Sequence, residues 1–160
     1  MSKAIYAGSF DPITLGHMDI VIRAAKMFDE VYVVIMKNSK KKCLLTEEER
    51  KATIDKAIID AGLHNVTCEI GDGLTVHYAK QKGAKVMIRG LRAAMDFEYE
   101  LQIANVNSYM EPGIETIFIA SKPEMSFISS TIVKEVAMAQ GDLEGLVPKS
   151  VVEILQEKYK

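Results

Sequence analysis

The stretch KAIYAGSFDPITLGH, residues 3–17, decides how the rest of this 160-residue chain is read. Its opening, KAIYAG, is an apolar run of strand length, rich in residues that favour a pleated backbone. The SFDPIT segment that follows holds turn-forming residues, with Pro12 shaping the bend. Gly16 and His17 then fall at the start of a run with helical spacing. Gly8 permits close approach of the backbone at the strand end, and Ser9 adds a hydroxyl beside exposed amides. A helix N-terminus offers unpaired N–H donors and a positive dipole end, a natural seat for an anion. The stretch is therefore either an ordinary strand-to-helix turn, in which His17 caps or packs, or one wall of a phosphate site. It contains neither G-x-x-x-x-G-K-[ST] nor G-x-G-x-x-G.

The same unit recurs along the chain. Strands are expected at 3–8, 30–36, 65–70, 84–90 and 114–120. Helices are expected at about 16–28, 46–61, 74–82, 96–110, 129–140 and 149–158. Thr46 and Glu49 have the spacing of a capping box, Gly62 sits where that helix would stop, and Pro148 is placed to begin the last helix. Alternating strands and helices argue for a parallel sheet covered on both faces. The expected fold is α/β: a Rossmann-like, doubly wound, parallel five-stranded sheet with strand order near 3-2-1-4-5 and C-terminal helices. No linker, repeat or low-complexity stretch interrupts the chain, so residues 1–160 are expected to form one domain.

In such sheets ligands bind beyond the carboxyl ends of the strands, where the strand order reverses. The unusual residues gather in those loops. After the second strand, KNSKKKCLL carries Lys37, Lys40, Lys41 and Lys42, either a solvated charge run or flexible cations within reach of a phosphate. After the fourth, RGLRAAMDFEYE carries Arg89, Gly90 and Arg92. Two guanidiniums about one turn suit a phosphate clamp, or internal pairs with Asp96, Glu98 or Glu100. After the fifth, SFISSTIVK places Ser126, Ser129, Ser130 and Thr131 at a helix start with Lys134 one turn in. That is more hydroxyls than a cap requires.

Composition narrows the function class. A formal net charge of -2 gives no basic field for nucleic acid. Cys43 and Cys68 lie far apart, without a metal-ligand spacing, and read as reduced thiols. No run has the length of a membrane span and none reads as a secretory signal, so a cytoplasmic protein with no membrane partner is expected. His64 and His77 are isolated, and no nucleophile–base pair or paired carboxylates stand out.

GSFDP with TLGH resembles the (H/T)xGH signature of the nucleotidyltransferase superfamily, and ISSTIVK resembles its ISSTxx(K/R) element. IRGLRAAMDFEYELQIANVN, with SFISST, is similar to one family within it, the phosphopantetheine adenylyltransferases, and the likeness runs from Ala4 to the last helix. The resemblance implies an enzyme of coenzyme A biosynthesis. Its reaction is reversible transfer of an adenylyl group from ATP to 4'-phosphopantetheine, giving dephospho-coenzyme A and pyrophosphate. Attack is direct and in line, without a covalent enzyme intermediate. Mg²⁺ held mainly by the ATP phosphates is implied, with no protein metal site, as is a homohexamer.

Carried onto this sequence, the resemblance makes His17, Lys41, Arg92 and Ser130 catalytic. Lys41 is the best match for the lysine on the phosphopantetheine side, with Lys40 and Lys42 one residue away. Ser9, Lys41, Thr75 and Arg89 fall at phosphopantetheine-binding positions. Ser9, Phe10, His17, Gly90, Leu91, Arg92 and Glu100, with the run Met125, Ser126, Phe127, Ile128, Ser129, Ser130 and Thr131, fall at ATP-binding ones. Two positions depart from the family pattern: Ser9, where Thr is common, and Met125, where an aromatic often stands. Rival readings are a cytidylyltransferase or nicotinamide mononucleotide adenylyltransferase of the same superfamily, and a nucleotide sensor without chemistry.

Overall fold

The computed structural model describes residues 1–160. Five strands, β1 (Lys3–Gly8), β2 (Glu30–Met36), β3 (Val66–Gly71), β4 (Val86–Leu91) and β5 (Glu115–Ala120), pair in the order β3-β2-β1-β4-β5. Every pairing is parallel. Six helices connect and follow them: α1 (Leu15–Met27), α2 (Glu47–Asp60), α3 (Thr75–Lys82), α4 (Ala94–Met110), α5 (Ser130–Met138) and α6 (Lys149–Lys158). The expected sheet order and element sequence are thus observed, with element ends displaced by no more than two residues. One element was not expected, a 3₁₀ turn over Pro123–Met125, which Pro123 opens. The expected helix 129–140 ends at Met138, and Gln140 takes a left-handed φ of 61° beyond it.

Strand alternation sends successive side chains to opposite faces, and two separate cores result. On one face Ala4, Tyr6, Val31, Val33 and Ile35 pack against α1, α2, α5 and α6. On the other, Ile5, Ala7, Val34 and Met87 meet Val76 and Ala79 of α3, with Met110 at the end of α4. Burying a large aliphatic side chain contributes about 1.5–3 kcal/mol, so the first and larger core dominates stability. The second face is covered thinly. Glu100 is the only buried residue on α4, while Met95, Tyr99, Val106 and Tyr109 stand exposed.

Two helix starts carry reciprocal caps. The Thr46 side chain accepts from the Glu49 amide and the Glu49 carboxylate accepts from the Thr46 amide, as the sequence spacing requires. Thr14 begins α1 in the same reciprocal way, but its partner at the third helical position is His17.

Candidate active site

A cavity of about 460 Å³ opens at the carboxyl end of the sheet, between β1 and β4, where the strand order reverses. It draws residues from each of the four loops singled out in the sequence, those after β1, β2, β4 and β5. Ser9, Phe10 and His17 come from the first, Lys41 from the second, Arg89, Gly90, Arg92 and Glu100 from the fourth. Met125, Ile128, Ser129, Ser130 and Thr131 come from the fifth. Four of the expected residues do not line it: Leu91, Ser126, Phe127 and Thr75. Thr75 opens α3, and the next residue, Val76, packs in the second core with Ile5, Ala7 and Met87 of β1 and β4. Ser126 donates its hydroxyl to the Pro123 carbonyl, closing the 3₁₀ turn, and Phe127 faces solvent.

His17 both caps and faces the cavity. The Thr14 amide donates to its Nδ1 at 3.0 Å, while the His17 amide donates to the Thr14 hydroxyl at 3.2 Å. An Nδ1 that accepts an amide hydrogen carries none itself, so the ring hydrogen is on Nε2. Burial, reinforced by the guanidiniums of Arg92 and Arg89, holds the imidazole pKa down at about 4. His17 is therefore a neutral hydrogen-bond donor near physiological pH, suited to holding an oxyanion and unsuited to shuttling protons. Phe10 fixes the ring edge-on at a centroid distance of 5.1 Å and meets Tyr6 at 5.3 Å. Phe10 itself sits at φ 48°, a strained value for an aromatic residue.

The free amides of two helix starts also line this space. At α1 the Leu15 amide is taken by the Leu146 carbonyl and the His17 amide by Thr14, which leaves Gly16. A Cβ on Gly16 would stand 3.4 Å from the Thr14 hydroxyl and close to the carbonyls of Met125 and Ile128. This is where the first and fifth loops meet. At α5, Ser129 is the cap, accepting from the Ile132 amide. Ser130 donates its hydroxyl to the Pro12 carbonyl at 2.9 Å, which ties α5 to the first loop.

The cations divide by partner. Arg89 donates through Nε and Nη2 to both oxygens of Glu100, at 2.7 and 2.8 Å, and through Nη1 to the Ala7 carbonyl at 2.9 Å. Hydrogen bonding to Glu100 raises the Arg89 pKa against the effect of burial. The two residues were expected to serve different substrates; the fold makes them one bidentate pair. Arg92 is more loosely held, with Nε 3.7 Å from Asp96 and Nη1 3.5 Å from the Ile128 carbonyl. Lys41 donates to the Ser9 hydroxyl at 3.1 Å. Of the three adjacent lysines, it is Lys41 that reaches the cavity. A second cavity of about 350 Å³, lined by Lys37, Asn38, Cys43, Arg50 and Asp72 among others, shares Ser9 and Lys41 with the first.

Sequence reasoning missed several supports. Thr14 was legible as a cap ahead of the α1 periodicity, by the rule that found Thr46. Arg50, buried, donates to the Ser9 carbonyl at 2.8 Å. Asp11, also buried, accepts from the Leu44 and Leu45 amides and lies 3.3 Å from the Lys134 ammonium. Nothing local to either residue announces those partners. Asp96 lines the cavity opposite Arg92.

The arrangement gathers cations, hydroxyls, free amides and a neutral imidazole around one space, with no nucleophile held against a base. Residues 5–136 match the model of the cytidylyltransferase-like family, so the chain belongs to that group of nucleotidyltransferases. A nicotinic acid mononucleotide adenylyltransferase of Plasmodium falciparum, solved in complex with NaAD, superposes with a TM-score of 0.72. It covers 98% of this chain and 95% of its own at 15% identity, a likeness of fold alone. Sequence relatives are much nearer. The phosphopantetheine adenylyltransferase of Bdellovibrio bacteriovorus is 48% identical over 100% of this chain and 99% of its own. That of Synechococcus sp. is 47% identical over 98% and 97%. Within the group, this chain belongs to the phosphopantetheine adenylyltransferase family.

Proposed function

We propose that the chain catalyses reversible transfer of the adenylyl group of ATP to 4'-phosphopantetheine, forming dephospho-coenzyme A and pyrophosphate. The observation that carries this reading is the neutral His17, its Nε2–H facing a cavity that Arg92, Lys41 and the α5 hydroxyls share. A phosphate monoester is ionised near neutral pH, so its oxygen attacks the α-phosphorus of ATP without a general base. One P–O bond forms to that oxygen, the bond to the bridging oxygen of pyrophosphate breaks, and no proton need move. Catalysis then consists of alignment and charge neutralisation.

Each residue has a role in that scheme. His17 donates to an α-phosphate oxygen, where negative charge builds up. Arg92, with Ser129, Ser130, Thr131 and the α5 amides, receives the β- and γ-phosphates. Lys41, held at Ser9, receives the incoming phosphate, and Arg89 supports the phosphopantetheine side. Phe10, Gly90, Leu91, Met125, Ser126, Phe127 and Ile128 frame the nucleotide, and Glu100 acts through Arg89. Thr75 belongs to the arm of phosphopantetheine away from its phosphate.

Mg²⁺ bound with ATP neutralises the charge that the phosphates present to one another. The donor set suits an ion carried by those phosphates. No three His, Cys, Asp or Glu side chains gather to hold one, and the cavity carboxylates Asp96 and Glu100 stand beside Arg92 and Arg89. We read residues 1–160 as one nucleotidyltransferase domain, working in the cytoplasm as a homohexamer. The apolar side chains left exposed on α4 support an interface between copies. No helix is long and apolar enough to cross a membrane.

Pyrophosphate release from a panel of substrates tests the reading. Turnover is expected with ATP and 4'-phosphopantetheine together. Turnover with CTP, or with nicotinamide mononucleotide in place of phosphopantetheine, and none with the expected pair, overturns it.

A further inference from the structure

Lys41 reaches the cavity from a loop that has few anchors of its own. Between the end of β2 and the start of α2, residues 37–43 are largely exposed, and within the loop the Lys41 amide donates to the Asn38 carbonyl. The anchorage comes just downstream. Leu44 and Leu45 donate their amides to Asp11, at 2.9 Å to Oδ2 and 2.9 Å to Oδ1. The carboxylate is 2% exposed and lies 3.3 Å from the Lys134 ammonium. Asp11 therefore joins three segments: its own loop after β1, the lysine-bearing loop after β2, and α5. Two residues before it, Ser9 accepts from Lys41 through its hydroxyl and from Arg50 through its carbonyl.

The chemistry of this junction requires a carboxylate. Three hydrogen-bond donors from two other segments converge on two acceptor oxygens. An amide offers one acceptor and turns an NH₂ group toward the remaining donors, leaving a buried N–H or an ammonium unpaired. The loop would then be free to move relative to Ser9.

Resting on the role proposed for Lys41, we infer that Asp11 is a positioning residue for this reaction. By holding the Leu44 and Leu45 amides it sets the reach of Lys41, and through Lys134 it keeps the lysine loop in register with the α5 hydroxyls. Asp11 touches neither substrate and acts through those groups.

The test is a double-mutant cycle on the full chain, with Asp11→Asn and Lys41→Ala alone and combined. Lys41→Ala is expected to lower kcat/KM for phosphopantetheine by about 100-fold. Asp11→Asn is expected to lower it about 10-fold by raising KM, with the KM for ATP changed less than about twofold. In the Lys41→Ala background the further loss from Asp11→Asn is expected to be under about twofold, because the group it positions is gone. Multiplying losses overturn the inference, since they mean that Asp11 does not act through Lys41. A normal enzyme after Asp11→Asn overturns it while sparing the Lys41 assignment; a normal enzyme after Lys41→Ala overturns both. Should Asp11→Asn fail to fold, hydrogen exchange on the unaltered protein decides. The Leu44 and Leu45 amides are expected to exchange about 100-fold or more slowly than the exposed Lys42 amide, and equal rates overturn the inference.

Discussion

The Thr14 amide donates to Nδ1 of His17 at 3.0 Å, and that one bond assigns the imidazole its hydrogen. A structural cap and a phosphate donor are usually alternative uses of a helix-entry histidine. Here the cap occupies Nδ1 and leaves Nε2–H for the ligand, so the two uses reinforce each other. Replacing His17 with Ala removes a donor that matters most where charge develops. Turnover is expected to fall about 100- to 1,000-fold, with the Kd for ATP changed by less than about threefold. Steady-state kinetics beside calorimetric titration of ATP check this. Equal losses in both favour a nucleotide sensor over an enzyme.

The same burial makes His17 a source of pH-dependent stability. Its folded pKa of about 4 lies below the ordinary value of 6.5. The unfolded chain therefore binds the proton more readily than the folded one. The contribution is fully present above about pH 6.5 and is lost as pH falls towards 4. Its size is about 2–3 kcal/mol between pH 7.5 and pH 4.5. Urea unfolding of the protein and its His17→Asn variant at those two pH values isolates the effect, since the other titrating groups are common to both. The difference is expected to shift against the unaltered protein at the lower pH; a constant difference refutes the neutral, partly buried imidazole.

Glu100, for which the resemblance implies a place at the nucleotide and the charge pattern a partner among the arginines, pairs with Arg89. Replacing it with Gln leaves the guanidinium one good side-chain acceptor beside the Ala7 carbonyl, where it had two, in a partly buried setting, at a cost of about 2 kcal/mol in stability. Because the loosened group is Arg89, the KM for phosphopantetheine is expected to rise more than the KM for ATP, by about fivefold or more. The opposite split gives Glu100 a direct role at the nucleotide.

Whether a feature was legible in the sequence depended on the range of the interactions behind it. The strands were legible because strands of a parallel sheet read as short apolar runs, as Ala4–Ala7, Val31–Met36 and Ile117–Ala120 do; β3, interrupted by Thr67 and Glu69, is the exception. The switch point was legible because strand order places the loops after β1 and β4 side by side. Partner choice was not. Asp96, Glu98 and Glu100 all lie within reach of Arg89 along the chain, and only the packing of α4 on β4 selects Glu100. Asp11 meets Leu44, Leu45 and Lys134 across separations that no local pattern encodes.

Met125 stands at a position where the family resemblance implies an aromatic ring. It ends the 3₁₀ turn, lines the cavity and packs against the larger core. A thioether adapts to a base but offers less flat area than a ring. Met125→Tyr is expected to tighten ATP binding about three- to tenfold while leaving kcat within about twofold, read by calorimetry and initial rates. Weaker binding shows that the methionine is fitted to the core and does not meet the base.

Helix α4 presents Met95, Val106 and Tyr109 to solvent at 88%, 55% and 86% exposure beside β5, the edge strand of the sheet. A helix whose only buried residue is a carboxylate paired with Arg89 has little holding it in one protomer alone. Covering those side chains with a second copy contributes about 1.5–3 kcal/mol for each one fully buried. In sedimentation velocity at micromolar concentration the protein is expected to run as an oligomer of hexamer mass. The double substitution Val106→Asp, Tyr109→Glu is expected to shift it to smaller species. Because α4 carries Glu100 against Arg89, the dissociated form is also expected to bind phosphopantetheine less tightly. A monomer before substitution, or an unchanged mass after it, removes α4 from the interface.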